Sequence, residues 1–144
     1  MNAQEVYEPT ETGLPIVVRA PEDVVGWFRE HPYLETSEPE AVAGGGVEGE
    51  RFDMVVGDLP EGYQGLCGRG CVATLRFSDG SLLEHYRGDK ARLTVLEEVD
   101  GQTVVMGFGG RAAEFDEFAP EAQEVIDTVR WRGSERPGSI HPSA

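Results

Sequence analysis

Ala91-Arg92-Leu93-Thr94-Val95-Leu96, then Glu97-Glu98-Val99-Asp100-Gly101, then Gln102-Thr103-Val104-Val105-Met106-Gly107-Phe108: this stretch decides the class of fold. Ala91, Leu93 and Val95 alternate with Arg92, Thr94 and Leu96, the period-two pattern of a strand. Asp100-Gly101 supplies the two central residues of a type I′ turn, both of which need positive φ. The returning segment puts Val104, Met106 and Phe108 on one face. Two strands joined by so tight a turn run antiparallel.

Upstream the same pattern repeats. A Gly44-Gly45-Gly46 turn joins residues 41–43 to a strand over 47–56, in which Phe52, Met54 and Val56 share a face. Residues 71–77 and 82–87 form another strand pair around Ser78-Asp79-Gly80. Two helices flank these hairpins. Pro21-Glu22-Asp23 suits a helix start, because proline is tolerated in the first turn and acids favour the positive end of the dipole. Val24, Trp27 and Phe28 then give an apolar face, and Pro32 ends it. Near the C-terminus Phe115, Phe118, Ala119, Ala122, Val125, Ile126 and Val129 recur at three and four with acids between them, an amphipathic helix whose safe extent is 118–129, with Pro120 in its first turn or kinking it.

The pattern predicts an α+β domain over 14–133, with a largely antiparallel sheet of about six strands packed against two helices. A strand is expected at 14–19 and a short terminal one around Trp131. Residues 1–13 read as a flexible lead-in, and 134–144, with Pro137, Gly138 and Pro142, as a disordered tail. Val55, Val72, Leu96 and Val105 fall on the second sheet face. That face is expected to be covered by the first helix; left open, it would dock a partner in a larger complex.

The chain has 144 residues, 27 acids against 12 bases and a formal charge of −15. Such a surface repels phosphates and argues against nucleic-acid binding. No apolar run has the length of a membrane span, and Met1-Asn2-Ala3-Gln4-Glu5 does not open like a secretory signal.

Cys67 and Cys71 bracket Gly68-Arg69-Gly70, at the end of a long glycine-rich loop over 57–70. The pair admits a structural disulfide, which belongs to an oxidising compartment, two free buried thiols, or a redox or metal-binding dithiol. The disulfide is the leading reading, since redox pairs are usually CxxC at a helix start. For a metal, His85 would be the third ligand, because His31 lies at a helix end and His141 in the tail. Otherwise His85 reads as a surface residue of its strand. Arg69, Arg76 and Arg87, with Lys90 and Arg92, form the one basic segment and are candidate contacts for an anion or ligand, or simply charges that guard sheet edges. Nucleophile-elbow, zinc-protease, EF-hand and phosphate-loop motifs are missing, so the residues point to a non-enzyme without cofactor.

Ala20-Pro21-Glu22-Asp23, Trp27-Phe28, His31-Pro32, Gly46-Val47-Glu48-Gly49, Phe52-Asp53, the Cys67/Cys71 loop and the segment from Glu114-Phe115 to Arg130-Trp131 resemble an uncharacterised group of actinobacterial cell-envelope proteins. The hairpins followed by a helix are also similar, more distantly, to PsbP-like and LpqN-like lipoprotein domains. The resemblance implies an extracytoplasmic, non-catalytic binding or accessory domain whose partner is a small molecule or a protein. It carries over no site residues. Such proteins carry an export signal, so Met1 is expected to follow a lost segment or to be a misassigned start; with Met1 as the true start, a cytoplasmic location is expected instead.

Overall fold

The computed structural model describes residues 2–14, 16–44, 46–65, 67 and 70–129. The terminal strand expected around Trp131 and the tail from 134 lie outside them.

The domain is α+β, with nine strands in two antiparallel sheets and two helices among the described residues. The decisive hairpin is β8 (Asp89–Val99) and β9 (Gln102–Arg111), with Asp100 at φ 55° and Gly101 at φ 76° in the turn. β8 also pairs with β5 (Val47–Val56), and β5 carries two short strands along its other edge. These are β3 (Leu34–Thr36), opposite residues 54–56, and β4 (Glu40–Gly44), opposite 47–51. Pro39, which has no N–H to give, falls at the break between them. Ser37 holds the break by exchanging hydrogen bonds with the Asp53 backbone, its N–H donating to the Asp53 carbonyl and its hydroxyl accepting from the Asp53 N–H, both at 2.8 Å.

The second sheet has the order β2 (Val17–Arg19), β1 (Ala3–Tyr7), β6 (Val72–Phe77), β7 (Leu82–His85). The expected single sheet of about six strands is therefore two sheets. β1 lies in the segment expected to be a flexible lead-in. It is an inner strand, paired on both sides, with Val6 buried. The strand expected over 14–19 begins only at Val17, leaving Leu14 and Ile16 exposed.

The sheets face each other across one core. Phe52, Met54, Leu93, Val95 and Val105 from the five-stranded sheet meet Val6, Val72, Leu75 and Phe77 from the other. Helix α1 (Val24–Glu30) buries Val24, Val25 and Phe28 in that same core. Its N-cap is Asp23, whose carboxylate accepts from the Gly26 N–H at 2.9 Å. Contrary to expectation, it does not cover the second sheet face. That face belongs to α2 (Ala112–Asp127), whose Phe115 stacks on Phe108 at 5.7 Å between ring centroids.

Two further expectations change with it. Val105 lies opposite Val95 in the central core, while Val104, Met106 and Phe108 look toward the α2 side. Leu96 and Val105 are 0% and 4% exposed, so they form no open face for a partner. Pro120 sits well inside α2, on its exposed side, where a missing N–H is least costly.

Candidate functional site

The inner face of the β8–β9 hairpin shrinks toward one end. On β8 the inward residues run Val95, Leu93, Ala91; opposite them on β9 stand Val105, Gly107 and Gly109. A side chain at Gly107 would start 2.6 Å from Leu93 Cδ2, and one at Gly109 would start 3.3 Å from Ala91 Cβ. With two glycines and an alanine in place of branched residues, the sheets cannot close on each other here. A cleft of about 440 Å³ remains. Its walls are mostly apolar: Met54, Val56 and Leu93 from one sheet, Phe77 and Leu83 from the other. Glu84, Tyr86 and Asp89 bring polar groups to the lining.

His85 also lines the cleft and is 7% exposed, so it is not the surface residue expected from the sequence. Its Nε2 lies 2.9 Å from Thr74 Oγ1, and the Thr74 hydroxyl donates to the Leu83 carbonyl at 3.3 Å. Which of the two donates across this contact is set by the tautomer of the ring. Burial, reinforced by His31, lowers the His85 pKa to about 3, so the imidazole is neutral at ordinary pH.

Cys67 and Cys71 are joined by a disulfide, with Cα atoms 6.0 Å apart. Tyr63 ties the loop to the sheet by donating from its hydroxyl to the Cys71 carbonyl at 3.1 Å. A five-residue loop is a small one, and its closure entropy amounts to about 2 kcal/mol. The double variant Cys67→Ser, Cys71→Ser is accordingly expected to lose about 2 kcal/mol in urea unfolding. A loss under about 0.5 kcal/mol would show that the loop is held by its other contacts.

His85 does not reach the cysteines. Its neighbour Glu84 does: Oε2 lies 3.2 Å from Cys71 Sγ. Successive strand residues point to opposite faces, and Glu84 pairs with Ala73 while His85 pairs with Val72. The sequence signal for Glu84 was the register across the Ser78-Asp79-Gly80 turn, which puts residue 84 beside 71 and 73.

Among the described residues the basic segment does not assemble into a site. Arg76 Nε is 3.8 Å from Glu5 Oε1. Arg76 stands opposite Leu82 at one end of the β6–β7 pair, whereas Arg87 follows the other end and is exposed. Arg92 makes two hydrogen bonds to Asp53, at 2.7 and 3.3 Å, which raise its pKa, and Lys90 lies 3.8 Å from the same carboxylate. Arg69 lies outside the described residues. Among the described residues no helix is long and apolar enough to cross a membrane. No family model, no curated protein and no solved structure matches the chain.

Proposed function

We propose that this protein is a non-catalytic binding domain that holds one small, largely apolar molecule in the cleft between its two sheets, and that it works outside the cytoplasm. The cleft carries the reading. Its volume of about 440 Å³ falls in the range of small-molecule sites, about 300–1,000 Å³. It exists because Gly107 and Gly109 withhold side chains from a core face that is otherwise filled. The occupant is a molecule with an apolar body and one polar group, which meets the imidazole of His85 in the lining. The disulfide supports the compartment, since such bonds persist where thiols are not kept reduced. The envelope-protein resemblance of the sequence agrees with both.

Dye binding tests it. N-phenyl-1-naphthylamine, neutral and fluorescent only in apolar surroundings, is expected to bind one per chain. Ala91→Leu puts a branched side chain into the space beside Gly109 and should weaken binding at least tenfold, about 1.4 kcal/mol or more. Val125→Ser, on the exposed side of α2, should leave it unchanged. A native protein that takes up no dye, or an Ala91→Leu variant that binds as the native one does, overturns the proposal.

A further inference from the structure

We propose that reduction of the Cys67–Cys71 disulfide converts the loop into a zinc site with Cys67, Cys71 and Glu84 as its ligands. The proposal does not rest on the cleft's being a binding site, although Glu84 also borders the cleft. Both sulfurs and a carboxylate oxygen of Glu84 lie within 4.8 Å of one another. Tetrahedral zinc with bonds of about 2.3 Å to sulfur and 2.0–2.2 Å to oxygen sets its sulfur and oxygen ligands about 3.5 Å apart and two sulfurs about 3.8 Å apart. Cys71 Sγ and Glu84 Oε2, at 3.2 Å, already stand near the first of these separations. The second is reached by side-chain rotation once the sulfur–sulfur bond is broken, with Cα atoms 6.0 Å apart.

A second observation prepares the sulfurs for metal. The Cys67 N–H points at Cys71 Sγ at 3.2 Å, and the Cys71 N–H points at Cys67 Sγ at 3.3 Å. Hydrogen bonds donated to sulfur favour the thiolate, the form that binds metal. In the oxidised protein these donors meet neutral disulfide sulfurs, and Glu84 faces a sulfur with no proton to share. Once the bond is open, a Cys71 thiol stands within reach to donate to that carboxylate.

The redox step balances as thiol–disulfide exchange. A dithiol reductant gives two electrons and two protons, its own sulfurs close to a disulfide, and Cys67 and Cys71 become thiols. Zinc then displaces the two thiol protons to solvent. Two thiolates suit zinc, the carboxylate completes three protein ligands, and water takes the fourth position.

Zinc titration of the full chain against a chromophoric chelator, with the protein either oxidised or reduced by a phosphine, tests the proposal. The reduced protein is expected to bind one zinc per chain beyond whatever the oxidised protein binds on its acidic surface. Cobalt(II) in its place should show a sulfur-to-metal charge-transfer band. Glu84→Gln should weaken the added site at least tenfold, in line with what disturbing a metal's ligand set costs, and Cys67→Ser should remove the charge-transfer band. Equal zinc uptake by oxidised and reduced protein, or full affinity in Glu84→Gln, would overturn it.

Discussion

Phe115→Ala is expected to destabilise the protein by about 3–5 kcal/mol, the cost of emptying a fully buried phenylalanine site. Phe115 is 0% exposed and anchors α2 to the outer face of the five-stranded sheet. Its ring stacks on Phe108, meets Phe118 edge-on at 5.4 Å, and lies under the Lys90 ammonium at 4.9 Å and the Arg92 guanidinium at 5.5 Å. Both cations are themselves fixed by Asp53. Farther along the helix little else holds: Ala119 is the other buried residue, and Val125 is 67% exposed. Removing Phe115 therefore takes away most of the helix's attachment, a large share of the roughly 5–15 kcal/mol that keeps a domain folded. Urea unfolding measures it, with loss of helical circular dichroism as the local readout. A cost below about 1 kcal/mol would mean that α2 is held by something other than this aromatic cluster.

Stability should fall by about 3 kcal/mol from His31 alone as pH drops from 6.5 to 4. His31 is 5% exposed, and its Nδ1 accepts from the Tyr33 N–H at 3.1 Å, which puts the ring proton on Nε2. Nε2 is buried without a hydrogen-bond partner, beside the rings of Trp27 and Tyr33 at 5.2 and 5.6 Å. Burial lowers the pKa from 6.5 to about 4. In the unfolded chain the same residue takes up its proton near pH 6.5. Between these values the unfolded state binds more protons, so acid favours unfolding. Above about pH 7 both states are neutral and the effect vanishes; below about 4 the native state is protonated too and the loss levels off. His85 acts with the same sign and extends the window lower. Urea unfolding of the native protein and of His31→Gln from pH 7 to 4.5 isolates the effect, because the carboxylates titrate alike in both. The native protein should show the steeper slope, by up to one proton, about 1.4 kcal/mol per pH unit. Equal slopes would show that His31 charges without cost.

The sequence was legible where structure is local. Asp100-Gly101 needed no context to be a turn, and the period-two runs of β5, β6 and β8 are strands. What escaped depends on distant partners. Ala3–Tyr7 carries one buried aliphatic, Val6, and becomes a strand because β2 and β6 lie on either side of it. The face of β9 was misassigned because α2 and the second sheet cover both sides. Val104 and Val105 are each 4% exposed, and alternation between apolar and polar disappears when neither side meets water. The cleft was invisible for a related reason. Only the pairing of Gly107 with Leu93 and of Gly109 with Ala91 shows that these glycines face the core. Glu84 was passed over for His85 on chemical type, when strand parity was the deciding fact.

The placement of α2 gives the cleft one hard wall and one soft one. Behind the five-stranded sheet stands a helix pinned by Phe115, so an arriving molecule cannot push that wall back. Opposite it stands β7, a four-residue strand at the rim of its sheet, whose strand partner among the described residues is β6. On the proposed reading, adjustment to a guest's shape would fall to β7. The rigid side then sets the outline a guest must match, and the yielding side sets how much bulk it can carry.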